Sequence, residues 1–254
     1  MKITPFADAK KTPAIAAALM LAAAFAIPAQ AQQEEKIKAE LKKNVPEAPV
    51  DSVRKAGYGN LYEIIVGGDI YYTDETGGFL ISGSILDLKT KQNVTEARLR
   101  VVNAVKWSEL PLDNAVKISR GNGSRKVAIF EDPNCGYCKR FERDLLGVSD
   151  ITVYVFLYPI LAADSVEKSK AIWCAKDPGK MWLDHMTRDV AISGDTKCAT
   201  PIEKTLALGR EKRIQGTPTI IFENGERVSG AMTMGDFEKK LAELKSPPKT
   251  ASAK

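Results

Sequence analysis

The apolar positions change period along this chain, and each change marks a segment. Residues 14–27 form one apolar run, mostly Ala and Leu. In Glu34–Lys43, Ile37 and Leu41 stand four apart and predict a short helix, ended by Pro46 and Pro49. Three strand-like runs follow: Leu61–Val66, Ile70–Thr73 and Phe79–Ser82. Gly67-Gly68-Asp69 and Glu75-Thr76-Gly77-Gly78 separate them as hairpin turns, so the runs predict an antiparallel meander. Between 94 and 110 the spacing turns helical, with Leu99, Val102, Val105 and Leu110 on one side and Arg98, Arg100, Lys106 and Glu109 between them. This predicts a linker helix capped by Thr95 and closed by Pro111.

Beyond the turn Gly121-Asn122-Gly123-Ser124 the signals alternate. Lys126–Phe130 predicts a buried strand, Cys138–Leu146 a helix and Ile151–Leu157 a second strand. A helical region runs from Ser165 to about Ile192, interrupted near Pro178-Gly179, and Ile202–Leu208 adds another helix. Thr219–Phe222 and Arg227–Ser229 flank Asn224-Gly225, a strong hairpin signal, and Asp236–Leu244 closes as an amphipathic helix. The order predicts an α/β domain, with the whole chain α+β. The expected division is a leader over 1–31, a small β module over 32–95, a linker helix and connection over 96–118, the main domain over 119–246 and a disordered tail over 247–254. A module of three strands and one short helix is marginal alone, so it should lean on the rest of the chain or on a second copy.

The apolar run follows Lys2, Lys10 and Lys11 and ends in Pro28-Ala29-Gln30-Ala31, a small-x-small cleavage pattern. This predicts export to the periplasm, with a cut after Ala31; the run is short for a membrane span. Removing the leader takes the net charge from +5 to +3. Basic residues are scattered among acidic ones with no block interleaved with aromatics, which argues against a nucleic-acid partner.

Export gives the four cysteines their meaning, because disulfides persist outside the cytosol. Cys135 and Cys138 lie two residues apart, after a strand and at a helix start, with Gly136 and Tyr137 between them. A thiol attacks a disulfide as thiolate, and a helix N-terminus favours negative charge. Cys135 is therefore the expected nucleophile and the more exposed of the two. Cys138, one turn on, is the expected resolving thiol. A zinc site would want a second close pair or nearby histidines, and His185 is the only histidine, so no metal is expected. Haem attachment needs His after the second cysteine, where Lys139 stands. No cofactor is expected. Gly216-Thr217-Pro218-Thr219 precedes the late strand, where Pro218 is either a cis proline or an ordinary turn proline; with the C-x-x-C upstream the cis form is expected.

These residues carry a resemblance. Strand, C-x-x-C, helix, helical insertion, Thr-Pro and hairpin resemble the thioredoxin fold. Phe130-x-x-x-x-Cys-Gly-Tyr-Cys, Lys170-Ala-Ile-Trp-Cys-Ala-Lys-Asp-Pro178 and Gly216-Thr-Pro218 resemble the DsbC/DsbG family of periplasmic disulfide isomerases. Ile70-Tyr-Tyr-Thr-Asp74 and Asn93-Val-Thr95 resemble that family's dimerisation domain. The resemblance implies Cys135 attacking, Cys138 resolving, and Thr217 and Pro218 facing them to bind an extended client. It implies a V-shaped homodimer, misfolded disulfide-containing exported proteins as clients and a DsbD-type inner-membrane reductase as partner. A DsbG-like reductase of oxidised cysteines and a holdase chaperone are the alternatives. Thioredoxin carries a buried acid six residues before its first active-site cysteine; here that position is Ile129. No buried carboxylate is then expected beneath Cys138, and Glu131 and Asp132 are expected in solvent. Cys174 and Cys198 are expected to form a structural disulfide, the alternative being two buried free thiols.

Overall fold

The computed structural model describes residues 29–244. The expected leader and tail lie outside them, apart from positions 29–31, which open the first helix. The described residues fall into two compact units, 29–64 with 72–81 and 65–71 with 82–244, the cut running through a β-hairpin.

In the first unit α1 (Ala29–Asn44) is longer than the expected 34–43 and buries Ile37 and Leu41. It packs on β1 (Val50–Lys55), a strand that the sequence pattern does not predict because its alternation is weak. The sheet continues through β2 (Tyr62–Val66), β3 (Asp69–Thr73) and β4 (Ile81–Ser82), in the order β1-β2-β3-β4. Gly67 and Gly68 both take positive φ in the β2–β3 turn, which a two-residue hairpin of this hand requires. The last run is shorter than Phe79–Ser82, and at its start the Thr73 hydroxyl donates to the Phe79 carbonyl at 2.6 Å.

The second unit contains the short hairpin β5 (Leu86–Asp87) and β6 (Gln92–Asn93), then α2 (Val94–Val102). The expected helix over 94–110 is thus half as long. Its cap is Asn93, whose Oδ1 accepts from the Glu96 N–H at 3.0 Å. Thr95 is instead buried, its hydroxyl accepting from the Ile85 N–H. Past Asn103 the main chain is bonded elsewhere, Val105 N–H reaching the Gly225 carbonyl at 2.9 Å, so helical bonding stops.

A five-stranded sheet forms the centre of this unit. Its strands are β7 (Val116–Arg120), β8 (Arg125–Glu131), β9 (Ile151–Leu157), β10 (Thr219–Phe222) and β11 (Arg227–Ser229), in the order β11-β10-β8-β9-β7. β8 and β9 are parallel; the other pairs are antiparallel. β7 lies where the sequence predicts connection, because five residues carry too little alternation, and it straddles the expected boundary at 118/119. Period-2 alternation sends Val127 and Ile129 to one face and Ala128 and Phe130 to the other. Both faces are covered, which is why β8 and β9 read as continuous apolar runs. On the first face lie α3 (Gly136–Leu145), α5 (Pro178–Arg188) and α7 (Met234–Glu243), contributing Phe141, Trp182 and Phe237. α4 (Ser165–Cys174) joins them through Ile172, and the break at Pro178 separates it from α5. On the second face Phe130 stacks on Phe156 at 4.7 Å, near α6 (Ile202–Glu211). Gly209 lets α6 approach: a Cβ there would stand 2.2 Å from the Tyr158 ring.

Candidate active site

The site begins where β8 ends. Asp132-Pro133-Asn134 links Glu131 to Cys135, the N-cap of α3. The loop is held from within. Asp132 Oδ1 accepts from the Asn134 N–H at 2.7 Å and from the Ser165 hydroxyl at 2.8 Å. Its Oδ2 accepts from the N–H groups of Ile160 and Leu161 at 2.7 and 2.8 Å. The Cys135 N–H then donates to the Asp132 carbonyl at 2.9 Å, which aims the cysteine along the helix axis.

Cys135 and Cys138 are free thiols. The Cys138 N–H donates to Cys135 Sγ at 3.1 Å, the capping contact that suits an anion at a helix start. Cys135 Sγ lies 3.4 Å from the Thr217 carbonyl, and the Thr217–Pro218 bond is cis. So α3 and the start of β10 bring together Cys135, Cys138, Thr217 and Pro218. Tyr137, between the cysteines, is 72% exposed, and Gly136 opens α3. Cys135 is more enclosed than the sequence suggests, 3% exposed against 0% for Cys138.

The two sulfurs differ in acidity. The Cys135 thiol is lowered to about 6, first by the neighbouring Cys138 thiol, then by Thr217 and the N–H groups of Cys138 and Tyr137, against the cost of burial. Burial first, then Cys135 and Glu131, pushes the Cys138 thiol far up. The site thus favours the thiolate at Cys135 and the thiol at Cys138.

Glu131 and Asp132 correct the expectation that acids here are solvated: both are fully buried. β8 runs one residue further than foreseen, and its alternation puts Glu131 on the face of Val127 and Ile129, beneath α3. Glu142 follows Cys138 by four residues, so it lies on the same side of α3 and is buried as well. Trp182 Nε1 donates to one Glu142 oxygen at 2.9 Å, and Arg120 stands 4.0 Å from the other. Neither oxygen of Glu131 has a donor from any other fixed group. The titratable groups that act on it are the Glu142 carboxyl, Cys135 and Cys138. Burial first, then Glu142, raises the Glu131 carboxyl well above its ordinary range. Counting back from the cysteine missed it; counting along the strand face finds it.

Cys174 and Cys198 are joined by a disulfide, 24 residues apart in sequence, tying the end of α4 to the segment before α6. Among the described residues no group of three or more His, Cys, Asp or Glu side chains is placed to hold a metal ion.

Comparison with known proteins covers both units. Residues 112–245 match the model of a thioredoxin-like domain, and residues 28–96 match a disulfide bond isomerase protein N-terminal domain. A probable thiol:disulfide interchange protein DsbC of Bordetella parapertussis is 47% identical over 192 residues, 76% of this chain and 68% of that protein. The thiol:disulfide interchange protein DsbC of Escherichia coli K12 is 26% identical over 185 residues, 70% and 75% of the two chains. The crystal structure of a disulfide interchange protein from Neisseria gonorrhoeae is 38% identical with a TM-score of 0.52, covering 54% of this chain and 100% of that one.

Proposed function

The chain belongs to the DsbC family of thiol:disulfide interchange proteins, and from that premise we propose that it is an exported, periplasmic disulfide isomerase acting through Cys135 and Cys138. Thiol:disulfide oxidoreductase activity follows from the family; the isomerase reading is supported by the match of residues 28–96 to a disulfide bond isomerase protein N-terminal domain beside the free Cys135–Cys138 pair. The Cys135 thiolate attacks one sulfur of a client disulfide. A mixed disulfide forms and the other client sulfur leaves as thiolate. If a client thiolate then attacks the client sulfur of the mixed disulfide, Cys135 is returned, a new pairing is made and no electrons are transferred overall. If rescue is slow, Cys138 attacks Cys135 instead. The client leaves reduced, and Cys135 and Cys138 become a disulfide.

Cys138 must lose a proton to attack, and the buried Glu131 carboxyl acts on it. The ionised form of Glu131 takes that proton, and its raised proton affinity narrows the gap to the buried thiol. Returning Cys135 and Cys138 to thiols needs two electrons, which we assign to a DsbD-type inner-membrane reductase. Thr217, two residues before β10, offers main-chain groups to an extended client, a form of strand addition. The client class is exported proteins with wrong disulfides.

A homodimer is part of the proposal. β4 ends its sheet; Ile81 on it and Phe79 and Leu80 just before it are exposed. An apolar edge of this kind pairs with another chain. The same exposed groups favour a holdase contribution, which a Cys135→Ser protein would retain. The direct test of the chemistry is Cys138→Ser with a scrambled client: a mixed disulfide through Cys135 should accumulate. A trapped adduct that survives a further Cys135→Ser change would overturn the assignment.

A further inference from the structure

His185, the only histidine in the chain, has no part in the reaction above. It lies in the last turn of α5 and is buried. Its Nε2 is 2.8 Å from the Pro133 carbonyl oxygen, and its Nδ1 is 2.9 Å from that of Val190. Both neighbours are main-chain carbonyls, which only accept. A neutral imidazole has one N–H and one bare nitrogen. Its bare nitrogen would face an oxygen lone pair at hydrogen-bonding distance, away from water, and that contact repels. A ring with a proton on each nitrogen makes both bonds, each strengthened by its charge.

The surroundings accept such a cation. The end of a helix favours positive charge. Asp189, which caps α5, is held below the usual carboxylate range, first by Lys139, then by Arg143 and by the His185 ring itself. Lys139 and Arg143, from α3, bind its two oxygens at 2.7 and 2.8 Å, so they share that carboxylate with the ring. From the loop, Asp132 is taken up by Asn134, Ser165, Ile160 and Leu161. From α4, Lys168 is taken up by Asn134 and Asp164. The two carbonyls, the helix end and Asp189 are the negative groups that face the ring.

We propose that His185 is a positioning residue for the Cys135 loop: a doubly protonated ring that ties the Pro133 carbonyl, two residues before Cys135, to the C-terminal end of α5. The proposal rests on Cys135 being the nucleophile. Fixing Pro133 fixes the path into Cys135, and with it the contact between Cys135 Sγ and the Cys138 N–H.

A single histidine makes the test direct. Ring-nitrogen NMR of the reduced, 15N-labelled full chain at about pH 6 should show a proton on each nitrogen. His185→Gln has one amide donor group and cannot reach two separated carbonyls. In H185Q the Cys135 thiolate-to-thiol ratio at a fixed pH, read by ultraviolet absorbance, should fall roughly threefold to tenfold, the equivalent of one hydrogen bond. A merely structural histidine would lower the melting temperature and leave that titration in place. A singly protonated ring, or a folded H185Q with the wild-type thiolate titration, overturns the proposal. If H185Q does not fold, the ring-nitrogen spectrum of the wild type decides, and a ring with a single proton counts against the proposal. Alkylation of Cys138 before Cys135 would defeat the reading of the nucleophile and leave the ring's protonation untouched, so the two failures are distinguishable.

Discussion

Acidification of the reduced protein should separate its two active-site sulfurs. Cys135 is lowered to about 6, chiefly by the Cys138 thiol, where an isolated cysteine stands near 8.5. At about pH 7 the first is roughly nine-tenths thiolate and the second roughly 3%, a ratio of about 30. A more acidic thiolate is also a weaker nucleophile, by roughly tenfold over this interval for a Brønsted slope near 0.45. The two effects nearly cancel at neutral pH, leaving about a twofold advantage over a free cysteine. At about pH 5 the thiolate ratio grows to about 300, and the net advantage to roughly twentyfold. The assay is therefore limited alkylation at about pH 5 with acid quench and peptide mass spectrometry, against a free-cysteine peptide. Cys135 should carry nearly all the label, and its rate should inflect near 6. The same shift has a sign in stability: a thiol lowered on folding stabilises the reduced protein above the unfolded value and loses that contribution as pH falls through about 6. Label on Cys138 first, or a rate that rises through pH 8–9 with no inflection near 6, would refute the reasoning.

Other outcomes follow from other parts of the structure. Glu131→Gln keeps volume and removes the proton acceptor, so the mixed disulfide should resolve more slowly, on the order of 10²-fold, by rapid-quench gel analysis. That variant should also be the more stable one at alkaline pH, since a carboxyl raised in the fold loses stability as pH climbs; an unchanged mixed-disulfide lifetime would remove Glu131 from the mechanism. Replacing Cys174 and Cys198 by Ser opens a loop with a sequence separation of 24, and denaturant unfolding should show a loss of about 3.5 kcal/mol. Gly209→Ala drives a methyl into the Tyr158 ring and should cost about 1–3 kcal/mol in the same assay. Light scattering on the chain without its leader should give about twice the protomer mass; a monomer would show that the exposed edge at Phe79–Ile81 is covered some other way.

The sequence displays best what is local. β8 and β9 read correctly because strands covered on both faces are continuously apolar, and the β10–β11 hairpin because Asn224-Gly225 marks its turn, where Gly225 has φ 86°. The cysteines could be placed because a strand end and a helix start flank them. Short edge strands were harder: β7 and β1 alternate over too few residues to stand out from connection. The run over 94–110 kept helical spacing past the point where Val105 bonds to Gly225, a tertiary contact that spacing cannot show. Glu131 looked solvated because charged residues usually are; its burial needs the strand register and the cover of α3 together. His185 offered only the absence of a second histidine, since its carbonyl partners are main chain and carry no side-chain signature.

The central claim is that Cys135, through a mixed disulfide, reshuffles disulfides in other proteins. It is tested most directly by adding catalytic amounts of the reduced protein to a substrate with scrambled disulfides and following recovery of the native pairing. The account predicts many turnovers per chain for the wild type and none for Cys135→Ser. No recovery with the wild type, or recovery that persists in Cys135→Ser, would contradict it.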